Sequence, residues 1–508
     1  MGVVRNRYPV PGTPELPQVA GHAKLLFSEY VTIGLTPRPM QSIIGCVALR
    51  KPLRQPYGVQ RGVGFNPMST GSTIEKPRRN STANRLDAVD RAVHDWYRFV
   101  LSYPPHLVRD YLQRFDLTAR HRVLDPFCGT GTTLVECRKH GIPSVGVEAN
   151  PMACFASQVK VDWSPDGKRL QAHALKAADA ALEILNLQGI DDNASLFQDR
   201  PPCKPKVHLR TLSEESHNLL LTDSISPLPL HKTLVLLDCI NQSRNNRYCR
   251  HERLALAKAL VYFISNLNFG PEVGVGAIKK DAPVVDLWLR EVASVASDLE
   301  ALSGLAAAPA EVHAGDSRDL PDMIPPGSID AVITSPPYPN EKDYTRTTRL
   351  ESVLLGFLRN RSDLRDLKRG LVRSNTRNVY KGDDDDQWVA CHPEVQRIAS
   401  AIEARRIELG KTSGFERLYA RVTRLYFGGM SRHLADLRKL LRPGARLAYV
   451  VGDQASYLRV MIRTGQILAD ISQSLGYKLE GIDLFRTRLA TATRQQLREE
   501  VVVLRWPG

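Results

Sequence analysis

The spacing of apolar and polar residues changes along the chain, and the changes predict its elements. From Leu86 to Phe115 apolar residues recur at helical spacing, first in RLDAVDRAVHDWYRFVLS and then in SYPPHLVRDYLQRF, where Pro105 suits a first helical turn. Short apolar runs then alternate with helical patterns. HRVLDPF reads as a strand, TTLVECRKHG as a helix, SVGVEAN as a strand and MACFASQVK as a helix. Such alternation predicts a parallel sheet with right-handed crossovers.

Residues 165–308 interrupt this rhythm. KRLQAHALKAADAALEILNL, HKTLVLLDCINQ, ERLALAKALVYFISNL and VVDLWLREVASVASDLEAL all read as helices, with an ordered turn at NFGPEVGVGAIKKDAP. Gly270, Gly274 and Gly276 in that turn lack the Lys-Ser/Thr helix start of a phosphate loop. Strands resume at EVHAGD and SIDAVITS. A helix is predicted over 341–358, and a polar insertion over 359–413 carries the acidic run Asp383 to Asp386. ERLYARVTRLYFGGMSRHLADLRKLL predicts a long helix and ARLAYVVGD a fifth strand. YLRVMIRTGQILADISQSLG predicts a helix, and YKLEGIDLF and EEVVVLRW the last two strands. No internal repeat is visible.

Apolar residues are 43% and charged residues 24% of the 508, a balance that supports a real core and excludes wholesale disorder. No uncharged apolar run of ~18 residues exists, and the opening MGVVRNRYPVPGTPELP has no apolar signal core. The expectation is a cytoplasmic protein with no membrane partner. The net charge is +15, of which residues 1–80 hold 11 Lys/Arg against 3 Asp/Glu. This excess favours a polyanion such as nucleic acid. With ten prolines and little periodicity, residues 1–80 read as a largely disordered tail. The eight cysteines include no C-x-x-C pair, so no structural metal is expected, and Cys137 reads as a buried apolar residue.

Two segments carry chemistry. In Val123-Leu-Asp-Pro-Phe-Cys-Gly-Thr-Gly-Thr-Thr133 a strand meets a helix start, where Gly129 and Gly131 permit a tight turn and helix N–H groups stand open. Glu148 ends the next strand, 19 residues after Gly129, in the position that accepts two ribose hydroxyls in nucleotide-binding sheets. In Asp330-Ala-Val-Ile-Thr-Ser-Pro-Pro-Tyr338 an apolar strand delivers Ser335, two prolines and an aromatic ring to the carboxyl end of the sheet. Pro336 and Pro337 fix the backbone and offer acceptors without N–H donors. Tyr338 offers a face on which a base could stack. Acceptors beside a stacking ring suit an exocyclic amino group.

These segments resemble the S-adenosylmethionine-dependent methyltransferases that modify exocyclic amino groups of DNA bases. D-P-F-C-G-T-G-T-T is similar to their cofactor loop and T-S-P-P-Y to their catalytic loop, in the Ser form most often found in cytosine-N4 enzymes. The resemblance covers roughly 90–165 and 308–508. It implies a seven-stranded class I methyltransferase sheet, Rossmann-like, with a helical insertion. It also implies S-adenosylmethionine contacts from Asp125, Phe127, Cys128, Gly129, Thr130, Gly131, Thr132 and Glu148. Tyr103 would help enclose the methionine end, and Asp316, in H-A-G-D-S-R-D-L, would contact the adenine amino group. Ser335, Pro336, Pro337 and Tyr338 would form the catalytic loop.

The chain then divides into the tail (1–80), a first catalytic-domain part with the cofactor loop (81–164), the helical insertion (165–308), a part with the catalytic loop (309–358), the polar insertion (359–413) and a last part (414–508). Either insertion could recognise the target. The implied reaction is in-line attack of the amino nitrogen on the sulfonium methyl, with the base flipped out of the duplex. The alternatives are an adenine-N6 enzyme, an RNA amino-methyltransferase and a silent DNA-binding subunit. Pro202-Cys203 lacks the sheet context of a cytosine-C5 nucleophile. No E-x-K nuclease pattern is found, so a restriction endonuclease would be a separate chain.

Overall fold

The computed structural model describes residues 86–98, 102–192, 207–242, 247–269, 273–305, 308–340, 342–489 and 495–508. The predicted tail and Pro202-Cys203 lie outside them. None of the described helices is long and apolar enough to cross a membrane.

Seven strands form one sheet: β1 (Val123–Asp125), β2 (Ser144–Glu148), β5 (Ala310–Ala314), β6 (Ile329–Thr334), β7 (Leu441–Gly452), β8 (Lys478–Leu489) and β9 (Gln496–Arg505). Two short strands, β3 (Leu267–Phe269) and β4 (Val273–Val275), make a separate hairpin where the sequence reads only as a turn. The sheet order is β5-β2-β1-β6-β7-β9-β8. The first five are parallel, and β9 inserts antiparallel between β7 and β8. This is the seven-stranded Rossmann-like sheet that the resemblance implies. Its central strands are buried on both faces, so β1 reads VLD and β6 IDAVIT without polar alternation.

The strand order sets the site. The order reverses beside β1, and the carboxyl ends of β1, β2, β5, β6 and β7 all open on one edge, where α/β sheets bind ligands. The helix Thr132–Lys139 starts directly after the first loop, and Pro151–Lys160 starts after β2 with Asn150 as its cap.

The helical insertion is packed onto the sheet. Helices Gly167–Leu187, Pro227–Gln242, Cys249–Ala259 and Val284–Leu302 share one apolar core with Leu134, Met152 and Phe155 of the sheet-covering helices. Buried Lys232 holds the insertion's loops together through Asp192 at 3.3 Å and Asp281 at 2.8 Å.

Three predicted helices are corrected. Residues 86–98 contain only the short turns Ala88–Asp90 and Arg91–His94, and Val93 sits at φ 68°. Asp298 explains the break: its carboxylate accepts from the Val93 N–H at 2.9 Å and from the Trp96 indole at 2.7 Å. A tertiary acceptor thus takes the donor that a helix would use. The helix expected over 341–358 is replaced by two short helices, Tyr344–Thr347 and Arg349–Leu354, broken at Thr348, whose hydroxyl accepts from Asn150 at 3.0 Å. The helix near the C-terminus begins only at Thr464. Before it, Gln454 and Ile462 exchange backbone hydrogen bonds at 3.0 and 2.7 Å, closing a loop in which Leu458 and Arg459 have positive φ. The apolar positions Tyr457 and Ile462 are fully buried, but by that loop.

Candidate active site

Asp125 ends β1 with a fully buried carboxylate. It accepts from the Phe127 N–H at 3.2 Å, the Tyr103 hydroxyl at 3.0 Å and the Thr334 hydroxyl at 2.6 Å. Burial pushes its pKa up to about 6, against these bonds. Thr334 is the first residue of T-S-P-P-Y. One buried side chain therefore ties the first loop to the second across β1 and β6.

Beyond Asp125 the chain turns sharply, with Gly129 at φ 51° and Gly131 at φ 83°. A Cβ on Gly131 would lie 2.9 Å from the Ser157 hydroxyl, so the loop lies too close to the helix Pro151–Lys160 for any side chain there. Cys128 also faces Ser157, at 3.7 Å, and burial pushes its thiol well up, which keeps it neutral. The Thr130 hydroxyl is buried and has no hydrogen-bond partner among the described residues. Glu148 ends β2; its two oxygens accept from the N–H groups of Gly129 and Asn150, each at 2.8 Å. Burial raises its pKa to about 7.

The second loop leaves β6 beside these groups. The Ser335 hydroxyl donates to the Val450 carbonyl at 3.2 Å and also interacts with the Tyr338 phenol. The Tyr338 N–H donates to the Tyr344 hydroxyl at 3.3 Å. The Tyr338 ring lies on Gly452 at the end of β7, where a Cβ would come within 2.9 Å of it. Burial raises the Tyr338 phenol far above its usual range, so it stays protonated.

A single cavity of about 610 Å³ runs past both loops. Tyr103, Phe127, Cys128, Gly129, Thr130, Thr132 and Glu148 line it on the first side, and Ser335, Pro336, Pro337 and Tyr338 on the other. Three expected contacts do not line it. Asp125 and Gly131 stand behind the loop and shape it. Asp316 is held by Arg318, whose Nε lies 2.9 Å from one carboxylate oxygen and 3.1 Å from the other. Arg318 also pairs with Asp385 of the acidic run. Gly315 and Ser317 face the cavity instead.

Other lining residues carry no local sequence signal. Leu371, Val372 and Ser374 of the polar insertion form a wall, held by Tyr457, which donates to the Ser374 carbonyl at 2.7 Å. Arg373 anchors the same segment by pairing with Asp383 at 2.8 Å. Buried His433, its pKa lowered to about 4, bonds the Ser317 carbonyl at 2.8 Å and the Tyr449 hydroxyl at 2.7 Å, and packs edge-on against Phe127. Gln454 enters from the segment after β7, Arg486 and Arg488 from β8, and Glu499 from β9. These residues lie far apart in the chain and meet only because of the strand order.

The sheet and its cavity define a Rossmann-like α/β protein with a nucleotide-type loop and an acceptor-rich loop on one cleft. No family model matches the chain. In sequence it is 23% identical over 454 residues to the type II methyltransferase M.BsoBI of Geobacillus stearothermophilus, covering 82% of this chain and 84% of that protein. It is 22% identical over 437 residues to the type II methyltransferase M.AvaI of a Nostoc strain, covering 81% and 86%. A shorter stretch of 69 residues is 36% identical to the type II methyltransferase M.MjaII of Methanocaldococcus jannaschii, covering 14% and 13%.

Proposed function

We propose that this chain is a DNA methyltransferase that uses S-adenosylmethionine and modifies the exocyclic amino group of a flipped base, cytosine N4 ahead of adenine N6. The observation that carries this reading is the single cavity lined by both loops, tied together by the 2.6 Å bond from Thr334 to Asp125. The similarity to proteins named type II methyltransferases, over four fifths of the chain, supports methyl transfer.

The residues suit the cofactor. Glu148 has spent one lone pair of each oxygen on backbone N–H groups and keeps others for two hydroxyls. The Thr130 hydroxyl needs a partner, and the left-handed glycine turn leaves room for a ligand against the backbone. The bound cofactor would supply an activated methyl group on a sulfonium. The protein's part is positioning and electrostatics. Ser335 and the carbonyl of Pro336 would hold the amino protons and turn the lone pair toward the methyl group. Tyr338, seated on Gly452, would stack on the base. The preference for cytosine rests on the Ser form of the loop. A cognate restriction endonuclease would be a separate chain.

Nucleoside mass spectrometry of DNA from cells expressing the protein tests this. N4-methylcytosine is expected, with Ser335→Ala slowing transfer and Tyr338→Ala losing it while both still bind S-adenosylmethionine. N6-methyladenine alone would overturn the base choice, and unmodified DNA the whole reading.

A further inference from the structure

The outer strand β8 is irregular at two points, between Leu479 and Gly481 and between Leu484 and Arg486, and the second decides what faces the cleft. Leu484 pairs with Glu500 of β9, but Arg486 pairs with Glu499, so Phe485 is an extra residue on the β8 side. Glu499 and Glu500 point to opposite faces of β9. Glu499 lines the cavity, whereas a Cβ on Gly465, in the helix Thr464–Ser474 behind the sheet, would lie 2.6 Å from the Glu500 carboxylate. Without the bulge Arg486 would share the face of Glu500. A one-residue shift exchanges the faces of everything downstream, and bulges beside active sites re-aim side chains in this way. Here it brings Arg486 and, two residues on, Arg488 to the cavity mouth.

The two arginines differ. Arg486 is neutralised by Glu499. Arg488 is exposed and has no hydrogen bond or ion pair among the described residues. Its charge acts on Tyr338 and Tyr344, so it stands close to the ring on which a base would stack. β8 is the last strand of the sheet, so a polyanion can approach it from outside.

We propose that Arg488, aimed by the bulge at Phe485, grips a backbone phosphate beside the flipped nucleotide. The inference rests on the reading of the chain as a DNA methyltransferase. A fork of guanidinium donors suits a phosphate oxygen pair, and a contact next to the extruded base would hold the strained backbone in register.

The test uses the full chain, a duplex carrying the target and a duplex without it. Arg488→Ala should raise KM for DNA about tenfold, as loss of a hydrogen bond to a charged group implies. It should lower the log–log salt slope of DNA binding by about 0.9, the value for one phosphate contact. Arg488→Lys should restore the slope, and S-adenosylmethionine affinity by calorimetry should not move. An unchanged KM and slope would overturn the proposal. So would a loss confined to the target duplex that lysine does not rescue, because that marks a base contact. If the unsubstituted protein binds DNA but transfers no methyl group, the catalytic reading fails, and the salt slopes still decide the role of Arg488.

Discussion

Protonation of Glu148 should control cofactor affinity near neutral pH. Its carboxyl is raised from the usual 4.5 to about 7, chiefly by burial, although it accepts two backbone N–H groups. In the empty protein the raised pKa means that the neutral form fits the fold better. Its contribution to stability is complete below 4.5 and is lost as pH rises through 7. Binding works the other way, because two ribose hydroxyls donate best to the charged carboxylate. If the charged form is required, the apparent Kd is multiplied by one plus the ratio of protonated to ionised Glu148. That factor is about 1.1 at pH 8, about 2 at pH 7 and about 11 at pH 6, so affinity should fall roughly tenfold from pH 8 to 6. The cofactor's own amino group titrates near ~8, and Asp125 at about 6. The informative quantity is therefore the difference between the unsubstituted protein and Glu148→Gln, whose amide accepts hydrogen bonds without titrating. Calorimetry at constant ionic strength measures both. Glu148→Gln should bind more weakly at pH 8 and show a flatter profile. Parallel profiles for the two proteins would refute the assignment of the titration to Glu148.

Thr334→Val should remove the bond that ties the two loops and leave the buried Asp125 short of one donor, costing ~1.5–3 kcal/mol; a thermal melt should show the lower midpoint, and methyl transfer should drop with it. Gly452→Ala should push the Tyr338 ring off its seat, lowering methyl transfer in a single-turnover assay while S-adenosylmethionine affinity stays within twofold or so by calorimetry. Tyr338→Phe should stay largely active, whereas Tyr338→Ala should lose the stacking contribution of ~1–3 kcal/mol per base, read as weaker binding of DNA carrying an extrahelical target base. Arg373→Met should break a buried pair with Asp383 and loosen the wall at 371–374, seen as faster amide exchange there and weaker cofactor binding.

The two loops and most of the sheet were legible in the sequence because each is encoded locally. A doubly buried strand must be largely apolar, so VLD and IDAVIT are visible without partners. A left-handed turn against a helix demands glycine, so Gly129 and Gly131 announce themselves. A proline pair after a strand shows equally well. What failed was decided by groups distant in the chain. Asp298 ended the helix expected at Val93, and the Asn150 amide meets Thr348 where the helix expected over 341–358 breaks. In each case a remote side chain outcompeted the local preference. The arginine side of the cleft was hidden for a stronger reason. Strand alternation is a rule of period two, and the bulge at Phe485 breaks it by one residue. The sequence shows that Arg486 and Arg488 share a face, but only the register against Glu499 decides which face. That register belongs to the pairing of two strands, and the tertiary structure alone supplies it.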